Sequence, residues 1–86
     1  MTKTAYRGQH EIMFCILETC NVEGGLVKTK IMYNAYLSHD QLESYMKKMT
    51  DYGLIENIPL TNRFAITGRG RRALELFREL DGILRV

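Results

Sequence analysis

Between Gln9 and Asn21 the sequence QHEIMFCILETCN is apolar almost without interruption. At the helical rotation of about 100° per residue, Ile12, Cys15, Ile16 and Thr19 share one face, and Met13, Phe14 and Leu17 extend the apolar surface to nearly every side. A helix with that pattern must be covered from more than one direction. Either it is central to the domain, or a second subunit lies against it. The paired glycines of VEGG then break the chain. LVKTKIMYNA, 26–35, predicts a second short helix, with Leu26, Val27, Ile31 and Ala35 inward and Lys28 and Lys30 outward, and YLS follows as a tight turn.

The next segment, SHDQLESYMKKMTDYGLIE, carries a helix signature at both ends. Ser38 is a natural N-cap and Gln41, three residues on, completes a capping box. Leu37 can staple onto Leu42. Leu42, Tyr45, Met46 and Met49 recur at i, i+3, i+4, i+7, a single inward stripe. Gly53 supplies the left-handed residue that ends a helix, so this element spans about 39–52. LIENI and RFAIT are short apolar runs joined by PLTN, the pattern of a β-hairpin with a polar turn. Thr67 then caps a last helix whose apolar stripe is Ala73, Leu76, Phe77, Leu80, Ile83 and Leu84. Four of these, Ala73, Leu76, Leu80 and Ile83, keep the alternating spacing of a coiled-coil seam.

Helix, helix, tight turn, helix, hairpin, helix is the order of a winged helix-turn-helix. The expected fold is mainly α with a small β-hairpin, one domain in 86 residues. Its parts are a helix-turn-helix over about 26–52, a wing over about 54–66 and a C-terminal helix over about 68–84.

Composition narrows the function classes. With 45% apolar and 26% charged residues the chain is ordinary for a soluble globular protein. No run approaches the roughly 20 apolar residues of a membrane span, and the polar start MTKTAYRGQHE has no signal-peptide core; an intracellular, cytoplasmic location is expected. The net charge of +2 is only mildly basic, but its distribution is uneven. Between Asn57 and Leu74 stand Arg63, Arg69, Arg71 and Arg72 with no acid, and between Gly24 and His39 stand Lys28 and Lys30, again with no acid. The two cysteines, Cys15 and Cys20, are expected to be reduced and buried. On one helix they would lie about 140° apart, poor for a disulfide or a shared metal, and His10 and His39 complete no zinc spacing. No metal or other cofactor is expected. Nor is an enzyme: there is no nucleophile with a paired base, and GRG at 68–70 lacks the lysine and spacing of a phosphate loop.

The segment TKIMYNAYLSHDQLESYMKKMTDYGLIE, followed by RFAITGRGRRALELF, resembles the archaeal winged-helix DNA-binding family typified by a ten-kilodalton Sulfolobus chromatin protein. The shared features are TKIMY in the second helix, LS at the turn, L..Y in the third helix, GLIE after it, and IT..G...L into the last helix. They span roughly Ile12 to Leu80. The resemblance implies binding of double-stranded DNA as a homodimer through the C-terminal helix, here through Ala73, Leu76, Phe77, Leu80, Ile83 and Leu84. It also implies a nucleoid-associated role in chromatin organisation or transcription regulation.

In such a protein the third helix enters the major groove with its N-terminal part nearest the bases. The face opposite Leu42, Met46 and Met49 carries Gln41 and Ser44, which can hydrogen-bond base edges, and Lys47 and Lys48, which can reach guanine or phosphate. His39 lies at the helix start, where a phosphate can meet a backbone N–H. Asn62 and Arg63 on the wing, Arg69, Arg71 and Arg72 opening the last helix, and Lys28 and Lys30 on the second helix are expected at phosphates or the minor groove. Asp40, Glu43 and Asp51 oppose Lys47 and Lys48, so most of the affinity is expected from Lys28, Lys30 and the arginines after residue 62. The competing reading is a winged helix that binds a protein partner within a complex and makes no direct DNA contact.

Overall fold

The computed structural model describes residues 8–84; the polar segment 1–7 lies outside them. Four helices and three strands follow the order α1 (Gln9–Cys20), β1 (Leu26–Val27), α2 (Lys28–Ala35), α3 (His39–Asp51), β2 (Ile55–Asn57), β3 (Arg63–Ile66) and α4 (Gly68–Leu84). This is the expected winged helix-turn-helix, with one strand more than the hairpin alone. The strand order is β1-β3-β2, both pairs antiparallel, with Leu26 opposite Phe64 and Ile55 opposite Ile66.

Helix α1 is apolar on so many sides because it is central. It packs against α2, α4 and β3, burying Ile12, Met13, Ile16, Leu17 and Cys20. Its remaining aromatic, Phe14, meets Phe77 of α4 with ring centroids 5.5 Å apart. The core is completed by Ile31 and Ala35 of α2, the Leu42, Met46 and Met49 stripe of α3, Ile55 and Ile66 of the sheet, and Leu74 of α4. Cys20 is fully inside this core, and burial pushes its thiol up to about 12, which leaves it an apolar filler. Cys15 is half-buried, its Sγ 3.7 Å from the Asn34 carbonyl.

One expectation is corrected. The second helix starts at Lys28, not Leu26, because Val27 is extended (ψ 153°) and Leu26–Val27 pairs with β3. A two-residue edge strand has no periodicity of its own; only its partner makes it a strand. Tyr33 and Tyr36, on either side of the α2 C-terminus, are exposed. Tyr36 occupies the left-handed C-cap of α2 at φ 57°, which turns its ring outward. On α4, Leu74 is buried against the core, whereas Leu76, Leu80, Ile83 and Leu84 of the apolar stripe are exposed.

Helix α3 begins and ends as its sequence predicts. The Ser38 hydroxyl accepts from the Gln41 N–H at 3.2 Å and Gln41 Oε1 accepts from the Ser38 N–H at 3.0 Å. At the other end Gly53, at φ 75°, donates to the Thr50 carbonyl while Leu54 donates to the Met49 carbonyl, the paired bonds of a Schellman stop. That stop is also the dock for α4. The Thr67 hydroxyl donates to the Gly53 carbonyl at 2.6 Å and accepts from the Gly70 N–H at 2.9 Å, and the Thr67 N–H donates to the Leu54 carbonyl. One hydroxyl thus caps α4 and ties it to the end of α3. Thr67→Val keeps the shape and removes both bonds. Its expected cost is about 2 kcal/mol or more, from the lost cap and the stranded carbonyl, measurable as a lower urea midpoint.

Candidate nucleic-acid interface

The outward face of α3 is open along its length. His39, Gln41, Ser44 and Lys47 are exposed and Lys48 is half-buried. Ser44, Lys47, Lys48, Asp51 and Tyr52 line one shallow hollow on this face, so the structure brings together three of the expected base- or phosphate-contacting residues, with an acid and an exposed tyrosine among them. Two of the side chains are partly committed. Gln41 spends its carbonyl oxygen on the α3 cap and has only its amide N–H groups to offer a base edge. Lys48 lies with its Nζ 5.7 Å from the centroid of the Tyr45 ring.

The cations divide into paired and unpaired groups. Lys28 reaches across from α2 to grip Glu43 of α3 with Nζ–O distances of 3.1 and 2.8 Å, and its Nζ is 5.9 Å from the centre of the Phe64 ring on β3. Lys47 pairs with Asp51 at 2.9 Å, one turn along α3. Arg72 pairs with Glu75 at 3.2 Å. Arg63 turns its guanidinium back to the Gly25 carbonyl at 3.2 Å, beside β1. His39 lies 3.8 Å from Glu43 and 3.9 Å from Asp40. Among the described residues, Lys30, Lys48, Arg69 and Arg71 have no ion-pair partner, and of these Lys48 lies over the Tyr45 ring. Arg69 lies at the C-terminal end of α3, where a Cβ on Gly53 would sit 3.5 Å from its Cδ. Asn62 is exposed at the tip of the wing.

The Lys28–Glu43 bridge joins both helices of the helix-turn-helix and Phe64 of the sheet. The hydrogen bond from Lys28, with the charges of Lys28 and His39 behind it, holds the Glu43 carboxyl below its ordinary value of 4.5 against a smaller opposing effect of burial. A lowered folded-state value means the bond supports the fold above pH 4.5 and is lost as the pH falls through the lowered value. The sequence holds no local sign of this pair, whose members stand 15 positions apart. Glu43→Gln would remove one negative charge from α3 and release Lys28. At 0.1 M salt the expected gain in duplex affinity is up to about eightfold, the effect of one additional phosphate contact. A binding titration of the variant against the unaltered chain checks it.

No helix among the described residues is long and apolar enough to cross a membrane. A search of curated protein sequences finds no match to the chain. Among solved structures, the chain is similar to the crystal structure of Sso10a-2, a DNA-binding protein from Sulfolobus solfataricus. The TM-score is 0.77 at 26% identity, covering 90% of this chain and 81% of that one. A family model described as winged helix-turn-helix matches residues 6–84. That span takes in the capped α3, the wing and the α4 dock alike, and the chain belongs to the winged helix-turn-helix family.

Proposed function

We propose that this protein binds double-stranded DNA as a homodimer in the cytoplasm, associated with the nucleoid, as a chromatin component or transcription regulator, and that it acts by binding rather than by catalysis. The observation that carries the reading is the exposed polar face of α3 together with three exposed cations on the neighbouring helices, Lys30, Arg69 and Arg71, that no acid neutralises among the described residues. The similarity to a DNA-binding protein over nine-tenths of the chain supports it. In this reading α3 enters the major groove, His39, Gln41, Ser44 and Lys48 set register and any sequence preference, and Lys30, Arg69 and Arg71 supply most of the affinity through phosphates. Lys28, Lys47, Arg63 and Arg72 contribute less, because each must first loosen a contact made within the protein.

The test is a titration with duplex DNA at two salt concentrations. Binding that weakens steeply as salt rises is expected. An unaltered chain that fails to bind duplex at low salt would exclude the proposal and leave the protein-interaction reading, which the exposed Tyr33, Tyr36 and Tyr52 favour.

The dimer rests on α4. Leu80 and Ile83 are 53% and 67% exposed, and Ala73, Leu76, Phe77 and Leu80 line one shallow apolar hollow. A second hollow, between α1 and α4, is lined by Phe14, Phe77, Leu80 and Leu84 together with His10, Glu11 and Asp81. The helix of a second copy laid along this surface would cover both hollows and bring α1 into the interface. In sedimentation the unaltered chain should run as a dimer. Leu80→Asp should dissociate at least about a hundredfold more readily, since it would bury an unpaired carboxylate. A monomeric unaltered chain would refute the dimer.

A further inference from the structure

The tip of the wing, residues 58–62, reads Ile-Pro-Leu-Thr-Asn and carries no charge. The Thr61 N–H donates to the Ile58 carbonyl at 3.1 Å, closing a four-residue turn with Pro59 second and Leu60 third. Leu60 has φ 65°. Proline second and a positive φ third make a type II turn, whose third residue is ordinarily glycine or asparagine. A leucine there is strained, and it is also left fully in water, 104% exposed. Single exposed leucines are common on protein surfaces. This one combines an unfavourable backbone with an unfavourable solvent, so nothing in the free chain's stability accounts for it.

The turn holds that leucine firmly. The Thr61 hydroxyl donates to the Ile58 carbonyl at 2.8 Å and accepts from the Arg63 N–H at 3.0 Å. The Asn57 side chain donates to the carbonyls of Thr61 and Arg63, both at 3.0 Å, and the Ile58 N–H donates to the Arg63 carbonyl at 2.9 Å. The next cation along the chain, Arg63, has its guanidinium turned back to Gly25. A tip built this way is not equipped to hold a phosphate. It presents a fixed apolar prong on a hairpin that leaves the end of α3 directly through the Gly53–Leu54 turn.

We propose that Leu60 is a wedge that enters the minor groove beside the major groove occupied by α3, partly unstacks one base step and kinks the duplex. Leucine is one of the side chains suited to that insertion, and an uncharged tip avoids being stopped at the phosphate ridge. The step should be a flexible pyrimidine–purine one, TA or CA, because these kink most readily. The proposal rests on the DNA-binding reading above.

The test uses the full chain and a duplex of about 30 base pairs with one central TA step. Fluorophores at the two ends report bending, and 2-aminopurine in place of the adenine of that step reports unstacking. Leu60→Gly is the variant, because glycine adopts the same φ without strain and the turn is expected to persist. The unaltered chain should draw the duplex ends together and brighten the 2-aminopurine severalfold. Leu60→Gly should do neither, while keeping its affinity within about tenfold, because the leucine burial and the unstacking it drives are of similar size. Its salt dependence should be unchanged, since no phosphate contact is lost. If the variant bends and brightens the duplex as the unaltered chain does, or if the unaltered chain binds with neither signal, the wedge is overturned and DNA binding stands. Absence of binding by the unaltered chain would remove both.

Discussion

Replacing Gly70 by alanine should strongly destabilise this domain. A Cβ at Gly70 would lie 2.1 Å from the Leu54 carbonyl oxygen and 2.7 Å from Cγ1 of Ile66. The first of these atoms cannot move aside, because that carbonyl already accepts the Thr67 N–H at 3.0 Å within the dock that joins α3 to α4. Relief requires the first turn of α4 to lift, which also draws Leu74 out of the core and strains the Thr67 cap. Overpacking against side chains costs about 1–3 kcal/mol, and a collision with fixed backbone belongs at or above the top of that range. For a domain of this size, about 3 kcal/mol corresponds to a fall of about 12–24 °C in the midpoint of thermal unfolding. Gly82→Ala is the internal control. Nothing lies within 4 Å of its added Cβ, and a glycine inside a helix is a weak helix former, so that variant should gain up to about 1 kcal/mol. Circular dichroism melts of the two variants beside the unaltered chain check both signs at once.

The second large effect is on DNA. Lys30, Arg69 and Arg71 changed together to alanine should cost about 500-fold in duplex affinity at 0.1 M salt and almost nothing at 1 M. Each phosphate contact contributes about 0.9 to the slope of log affinity against log salt, so three lost contacts reduce the slope by about 2.7. The comparison triple, Lys47, Arg63 and Arg72 to alanine, removes the same formal charge from side chains that are already held by Asp51, the Gly25 carbonyl and Glu75. It should change the slope by distinctly less. Equal slopes for the two triples would show that the pairing seen in the free protein does not govern the bound one. All six positions are exposed, so both variants should fold.

These two results probe different levels of the same design. The Gly70 contact decides whether α4 sits on the end of α3 at all. The unpaired cations decide how strongly the assembled face holds DNA. Arg69 belongs to both, because its aliphatic chain lies beside Gly53 while its guanidinium is free for phosphate.

Much of this was written along the chain itself. The capping box at Ser38 and Gln41, the Leu42–Met46–Met49 stripe and the glycine stop at Gly53 specify α3 through interactions no longer than one helical turn, and the structure reproduces each of them. The hairpin and the α4 boundaries were equally legible, because turn chemistry and the Thr67 cap are local. What the chain alone left open depends on partners far away in sequence. β1 is a strand only because β3 lies beside it. The apolar period of α4 located its hydrophobic residues but not what covers them: Leu74 meets the core, while Leu80 and Ile83 meet solvent. Charge counting placed Lys28 among the phosphate-binding residues, but only the packing of α2 on α3 brings it to Glu43. Period and capping are properties of a few neighbouring residues, so sequence determines them. Burial, ion pairing and the strained exposure of Leu60 are properties of the space between elements, and only the folded chain decides those.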